Sequence, residues 1–140
     1  MTPDTQNDCL NRCLALQSLV GWPEWTTAVR MQSLRYEHGR WAWCGRDLEC
    51  RTPFAYLAAR LNPEALCIWQ DHLLRWLAEQ VLATNDANDA LVIDRDEAGW
   101  EVVIETGGWG ACRARSADCP TLIEALLDVG EQIQKEQKDA

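Results

Sequence analysis

The hydrophobic positions along the chain follow a helical spacing in three segments. Apolar residues recur every three or four positions over residues 8–20, which predicts a helix that Asp4, Thr5 or Asn7 caps. The same spacing predicts a long helix over residues 63–83. Its apolar positions form two neighbouring stripes. The first stripe contains Leu66, Trp69, Leu73 and Trp76, and the second contains Leu74, Leu77 and Val81.

Helix start signals place two further helices. Thr121 and Glu124 have the spacing of a capping box before an apolar run, which predicts a helix from Thr121. Thr52 and Pro53 predict another start, because Thr is a favoured N-cap and Pro is favoured at the first helical position. The buried face of that helix would be Phe54, Leu57, Ala58 and Leu61.

Alternation of apolar and polar residues predicts the strands. Residues 26–36 favour one strand or two short ones, and residues 40–44 favour another after a turn at His38 and Gly39. A second group follows the polar loop 84–89, and its predicted strands are residues 90–94, 100–106 and 109–115. In the middle strand, Trp100, Val102 and Ile104 share one face and Glu101, Val103 and Glu105 share the other.

This order of elements predicts an α+β fold. We expect a single domain over residues 1–130, in which two pseudo-repeated α-β-β-α units form an antiparallel sheet covered by helices. The repeated segments would be 26–61 and 90–130, and the polar tail 131–140 is expected to fray.

The case for a repeat rests on matched spacing between the two halves. Gly39 and Gly107, Trp41 and Trp109, and Cys44 and Cys112 all lie 68 positions apart, whereas Cys50 and Cys119, Thr52 and Thr121, and Leu57 and Leu126 lie 69 apart. One additional residue in the loop of the second unit explains why the offset changes from 68 to 69 positions. Internal duplication and chance similarity between two hairpin-helix units both explain the match.

Charge is distributed unevenly along the chain. Residues 1–70 contain seven acidic and seven basic residues, whereas residues 71–140 contain fifteen acidic and six basic residues. A chain with net charge −9 lacks the basic surface that direct nucleic-acid binding requires. The surplus acids either form a solvated face that keeps the protein soluble or attract a partner with a basic surface.

The second interpretation names a partner-binding surface. It is built around the acids of residues 86–105 and of the last helix, together with two tryptophans in a Pro-containing loop, which belong either to the core or to an interface. Its members are Asp86, Asp89, Asp94, Asp96, Glu97, Glu101, Glu105, Glu124, Asp128, Glu131, Trp22 and Trp25.

The sequence contains no constellation that specifies a reaction. Its seven cysteines, at positions 9, 13, 44, 50, 67, 112 and 119, lack the C-x2-C spacing of a zinc knuckle, and His38 and His72 add no ligand pattern. The GGWG segment at 107–110 lies in a predicted hairpin and not before a helix, so it does not form a phosphate loop. We therefore expect no metal, no cofactor and no catalytic residue.

The predicted compartment is the cytoplasm. The first residues have neither the basic segment nor the apolar core of a secretory signal, and no apolar stretch has the length of a membrane span. An odd number of cysteines without an export signal is typical of reduced thiols.

The segment from Trp100 to Gly130 resembles the C-terminal part of small phage and prophage proteins with an α/β/α sandwich. The resemblance rests on the predicted hairpin, the sequence Asp-Cys-Pro-Thr at 118–121 and the run LIEALLDVG. That family has no assigned catalytic residues, so the resemblance implies only a mobile-element origin. The size, acidity and element order are also similar to those of type III secretion chaperones.

These observations favour a non-enzymatic, acidic inhibitor or adaptor. It would occlude the basic surface of a nucleic-acid-handling enzyme, as anti-defence proteins of phages, such as anti-CRISPR proteins, and toxin-immunity proteins do. One alternative is a chaperone-like or dimerising scaffold that uses apolar helix faces, and it predicts a homodimer. A second alternative is a small Cys-rich metal-binding protein.

Overall fold

The computed structural model describes residues 1–21, 23, 34–37, 40–44, 51–53, 62–107 and 111–140. Side chains are described at residue 23 and in the ranges 1–21, 66–107 and 111–140. Within these ranges, the side chain of residue 3 is left out.

Two consecutive helices form the N-terminal segment. Helix α1 spans Pro3–Ala15 and helix α2 spans Gln17–Val20. The N-cap of α1 is Thr2, whose side chain accepts a hydrogen bond from the Thr5 N–H at 3.2 Å. The predicted helical structure over residues 8–20 is confirmed except at Leu16, which separates α1 from α2, whereas the predicted start and its three candidate caps were wrong. The chain starts the helix earlier, because Thr2 with Pro3 behind it supplies both the N-cap and the first helical position.

The first three strands form an antiparallel sheet in the order β1-β2-β3, with β1 Leu34–Glu37, β2 Arg40–Cys44 and β3 Arg51–Pro53. Strand β2 has the predicted bounds. The predicted helix start at Thr52 and Pro53 was wrong, because Thr52 pairs with Trp43 and Pro53 pairs with Ala42. Proline is tolerated there because β3 is an edge strand. The predicted helical face at residues 54–61 lies outside the described residues.

Helix α3, Asn62–Ala83, is the long helix that the apolar spacing predicts. Leu66, Trp69, Leu73 and Leu77 are buried along one side of it. The half-buried side chains of Leu74, Trp76 and Val81 pack against the same core, so both predicted stripes contribute to packing.

The second sheet has the order β4-β5-β6, with β4 Ala90–Asp96, β5 Gly99–Glu105 and β6 Cys112–Arg115. All pairs in it are antiparallel, and the turn that joins β4 to β5 consists of Glu97 and Ala98. The alternation predicted for β5 is confirmed at the core face, where Val102 and Ile104 are buried. Val103, on the opposite face, is also only 4% exposed.

Helix α4, Leu122–Asp139, packs against the core face of the second sheet and against α1 and α3. Its predicted capping box is confirmed: the Thr121 N–H donates to Glu124 Oε2 at 3.2 Å. The expected fraying of residues 131–140 was wrong, because the helix continues to Asp139 and Ile133 is fully buried. Ile133 follows Val129 at the next helical turn, so the apolar face extends into the polar segment.

The fold is α+β, as the element order predicts. Its core joins side chains from α1, α3, β5 and α4. The internal repeat stays a prediction. Among its matched pairs, Thr52 lies in a strand whereas Thr121 caps a helix, so that pair differs in local structure.

Candidate functional site

The turn between β4 and β5 gathers four of the predicted site residues. Asp94, Asp96 and Glu97 are exposed, and Glu101 is half-buried on the neighbouring strand. The short turn follows from the sequence Asp-Glu-Ala-Gly at 96–99, in which Asp96 Oδ1 accepts a hydrogen bond from the Ala98 N–H at 2.8 Å. Such an Asx turn is a usual way to close a hairpin.

Two carboxylates of this group face each other across the strands. Asp94 pairs with Glu101 in the register of β4 and β5, so both side chains lie on the sheet face opposite the core. Like charges directly opposite each other destabilise an antiparallel pair. Among the described residues, neither carboxylate has an ion-pair partner. The fold therefore gains nothing from this pair.

The cation nearest in sequence is held on the other face. Arg95 pairs with Trp100, and its guanidinium carbon lies 5.3 Å from the centroid of the Trp100 ring. A cation over an aromatic ring at this distance is attracted by the negative face of the ring. This contact keeps the charge of Arg95 on the core side of the sheet and leaves the acids of the opposite face exposed.

We name Asp94, Asp96, Glu97 and Glu101 the turn acids. Three other predicted acids lie at the opposite end of the hairpin, and these are Asp86, Asp89 and Glu105. A strand of seven residues separates the two ends by about 20 Å. Asp86 and Asp89 accept hydrogen bonds from the backbone N–H groups of Asn88 and Gly107, so they order the local loops.

The acids of α4 have partners within the chain. Asp128 Oδ1 accepts from Arg12 Nη2 at 2.8 Å, and both carboxylate oxygens of Glu131 accept from the Arg12 guanidinium. The hydrogen bonds that Arg12 donates to Glu131 and Asp128 raise the pKa of its guanidinium above the usual value. Glu124 is used in the capping box. Asp128 and Glu131 therefore hold α1 against α4, and Glu124 caps α4.

Asp128 is the centre of this arrangement. Its Oδ2 accepts a hydrogen bond from the Ala117 N–H at 3.2 Å and a weaker one from Cys119 Sγ at 3.5 Å. One carboxylate thus ties α1, α4 and the segment after β6 together. The role of Arg12 could not be recognised from the sequence because its partners lie more than a hundred positions away. No local pattern contains such a contact.

The two predicted tryptophans of the surface, Trp22 and Trp25, lie outside the described residues. The predicted site is therefore not one continuous face. It divides into the turn acids, a loop group at the other end of the hairpin, and the α4 acids that pair with Arg12.

Three of the cysteines are packing residues. Cys9, Cys13 and Cys119 are buried and unpaired. Burial, with added repulsion from Glu124, raises the pKa of Cys9 to about 11, and burial followed by Asp128 raises the pKa of Cys119 to about 11. A raised pKa disfavours the thiolate that metal binding and nucleophilic attack require. Cys67 and Cys112 are exposed, whereas nothing is described for the side chains of Cys44 and Cys50.

His72 also has a structural role. Its Nε2 lies 2.8 Å from the Val20 carbonyl oxygen and 3.1 Å from that of Gly21. Carbonyl oxygens only accept hydrogen bonds, so Nε2 donates and ties α3 to the segment after α2. His38 lies outside the described residues.

Across the described ranges, no group of three or more His, Cys, Asp or Glu side chains is arranged to hold a metal ion. No helix in the same part of the chain has the length and apolar character needed to cross a membrane.

The turn acids have no ion-pair partner among the described residues. Comparison of the chain with protein-family models, with curated proteins and with solved structures finds no significant match.

Proposed function

We propose that this protein binds a basic surface of another protein through the turn acids and acts as an inhibitor or adaptor. The observation that supports the proposal is the facing pair Asp94 and Glu101, which has no ion-pair partner among the described residues and is expected to destabilise the strand pair. Residues that break a local stability rule without compensation within the fold are expected at functional sites.

The chemistry of the turn acids favours a cationic partner. Four carboxylates occupy one end of a hairpin, and the neighbouring Arg95 is engaged by Trp100 on the other face. Clustered charge of one sign accelerates encounter with a surface of the opposite sign and makes the rate salt-dependent. Protein surfaces that bind nucleic acid are strongly basic, so occlusion of such a surface would inhibit the protein that carries it.

The test uses a partner recovered from the source cells by affinity purification with the protein as bait. The triple variant Asp94→Lys, Asp96→Lys and Glu97→Lys reverses the charge of the turn. We expect its association rate constant to fall at least tenfold at low salt and to lose most of its salt dependence. Stopped-flow fluorescence over a series of ionic strengths measures both.

A matched control separates position from net charge. The variant Glu79→Lys, Asp118→Lys and Asp139→Lys changes the net charge by the same amount at exposed positions away from the turn. Its association rate is expected to stay within about threefold of the parent because only the long-range field changes. Equal slowing of both variants, or no slowing of either, contradicts the proposal.

A further inference from the structure

Strand β4 is an edge of the second sheet, and its outward backbone groups are identified by the register. Trp100 exchanges backbone hydrogen bonds with Cys119 at 2.7 and 2.9 Å, and the Val102 carbonyl accepts from the Ser116 N–H at 2.9 Å. Both residues therefore direct their backbone groups away from β4. Their partners in β4, Arg95 and Ile93, form the pairs without mutual hydrogen bonds.

Leu91, which pairs with Ile104, also belongs to a pair without mutual hydrogen bonds, because it lies two residues before Ile93. Leu91, Ile93 and Arg95 thus present their N–H and C=O groups on the open side of β4. Within the part of the chain that the structure describes, no hydrogen-bond partner is found for these groups. A row of unpaired backbone groups is a template for an added strand.

At the other edge of this sheet, the fold itself covers the outward backbone groups of one residue of β6. The Gln132 side chain of α4 accepts from the Arg115 N–H at 3.0 Å, and its amide donates to the Arg115 carbonyl at 2.6 Å. A side-chain amide thereby replaces a neighbouring strand at β6. The fold therefore covers the outward backbone groups of Arg115 at the β6 edge with its own atoms, whereas no such cover is found for β4 among the described residues.

We propose that β4 is the docking edge for an extended, cationic segment of the partner, which adds as an antiparallel fourth strand to the second sheet. This inference rests on the proposed function and specifies its mode of binding. Backbone hydrogen bonds to Leu91, Ile93 and Arg95 supply affinity, and side chains that alternate along the segment supply specificity.

Charge determines which segment fits. On the face opposite the core, β4 presents Asp94 and Asp96 next to Glu101, whereas on the core face its edge presents Leu91 and Ile93. An added strand has the same alternation, so it would place Lys or Arg against the acids and small apolar residues beside Leu91 and Ile93. A slip of one residue would exchange these faces and lose both contacts.

A second copy of this chain fits the edge less well. Each copy has a net charge of −9, and pairing of two β4 strands would bring two sets of turn acids onto one sheet. Repulsion between like charges opposes that arrangement, whereas a cationic segment relieves it.

The experiment uses an acetylated and amidated heptapeptide, Lys-Val-Lys-Thr-Lys-Val-Lys, titrated into the full chain at low salt. We expect backbone amide shifts in NMR spectra centred on Leu91, Ile93 and Arg95. N-methylation of the two Val and the Thr removes the donors that face β4 and should weaken binding at least tenfold. N-methylation of the inner lysines leaves those donors in place and should preserve binding.

Two protein variants with the same charge test the edge from the other side. Arg95→Pro removes one outward N–H, and its position is compatible with proline because that group makes no bond to β5. Arg95→Val makes the same change of charge and keeps the N–H. Peptide binding should be about tenfold weaker in the proline variant than in the valine variant, and unfolding curves verify that both are folded.

The outcomes separate this inference from the proposed function. If the charge-reversed turn weakens binding but the proline variant and both methylated peptides match their controls, the acidic surface stands and strand addition is wrong. Amide shifts confined to other elements, absence of binding at millimolar peptide, or a β4-mediated homodimer detected by sedimentation also overturns strand addition. Unchanged binding to the charge-reversed turn contradicts the proposed function itself.

Discussion

The carboxylates of α4 and the turn acids belong to the same surplus of negative charge, but their surroundings differ. Asp128 and Glu131 lie against Arg12, which comes from the opposite end of the chain, and Glu136 makes a two-pronged contact with Arg113 at 3.0–3.2 Å. Asp94 instead lies opposite Glu101. The α4 carboxylates hold elements of the fold together, whereas two of the turn acids face each other with like charge.

This difference shows that the acidic residues of one chain cannot be treated as one surface. A carboxylate that accepts hydrogen bonds from a half-buried guanidinium contributes to folding, and its removal leaves a charge without its partner. A carboxylate opposite another carboxylate is tolerated because it is exposed. The same substitution should therefore cost much more stability in the α4 group than among the turn acids.

The largest expected effect is at the centre of the α4 group. Asp128→Ala removes one of the two carboxylate partners of Arg12 and the acceptor for the Ala117 N–H and Cys119 Sγ, and should lower the free energy of unfolding by about 3 kcal/mol. Asp94→Ala, its control at the turn, should change stability by no more than about 0.5 kcal/mol. Urea denaturation followed by circular dichroism measures both. Equal losses would remove the distinction between the groups.

The second prediction concerns the rigidity of the turn. Gly99 has a φ of 127°, and a Cβ there would lie 2.4 Å from the Cys119 carbonyl oxygen. Gly99→Ala should therefore cost roughly 2 kcal/mol, since both the backbone and the Trp100–Cys119 bridge must shift.

Gly107→Ala is the matched control for that substitution. Gly107 also has a positive φ, of 69°, but a Cβ there meets no atom within 4 Å. Gly107→Ala should therefore lower the free energy of unfolding by about 1 kcal/mol, from backbone strain alone. Thermal or urea unfolding compares the two, and an equal cost would show that the close approach to Cys119 is not what limits position 99.

The third prediction concerns alkaline pH in the region of α1 and α4. Burial raises the pKa of Cys9 from 9.0 to about 11, so its thiol stays protonated in the folded chain after it has ionised in the unfolded one. Stability from this group is therefore full below pH 9.0 and declines as pH rises to about 11. At pH 10 the loss should be about 1 kcal/mol.

Cys9→Ala should remove that part of the alkaline loss, although the smaller side chain lowers stability at every pH. The readout is the difference between unfolding free energies at pH 8 and pH 10, which cancels the packing cost. Cys67→Ala, at an exposed position, should leave the difference unchanged. A Cys9→Ala variant with the parent's pH dependence would refute the assignment.

The smallest effect has the opposite sign. Asp94→Lys turns the repulsion with Glu101 into a cross-strand ion pair and should stabilise the fold by about 0.5 kcal/mol. The gain should shrink in 0.5 M salt, because exposed charges are screened. Denaturation midpoints at two salt concentrations measure it. A destabilised variant would mean that Asp94 has a structural role in the folded chain.

Much of the fold could be predicted wherever the information is local. The capping box of Thr121 and Glu124, the alternation of β5 and the bounds of β2 are confirmed, because each depends on residues within a few positions. Thr2 with Pro3 starts a helix whereas Thr52 with Pro53 ends in a strand. The same dipeptide has two outcomes because pairing with β2 overrides local preference at the second.

Less of the candidate site could be predicted. The acidic segment 86–105 is visible in the sequence, but its division between the two ends of a hairpin requires the register of β4 and β5. The part of α4 after Gly130 was expected to fray, since its side chains are polar. Gln132 and Gln134 instead bond to Arg115 and to the Ala15 carbonyl, which are contacts that no pattern within the segment indicates.

By itself, the sequence determined the α+β class, the helical and strand periodicities and the concentration of acids after residue 70. These properties follow from side-chain spacing and composition, which are local. Only the tertiary structure decided which carboxylates meet an arginine, which meet each other and which edge of the second sheet stays open. Ion pairs and strand edges depend on distances between residues far apart in the chain, and those distances exist only after α1, α4 and the sheet have packed together.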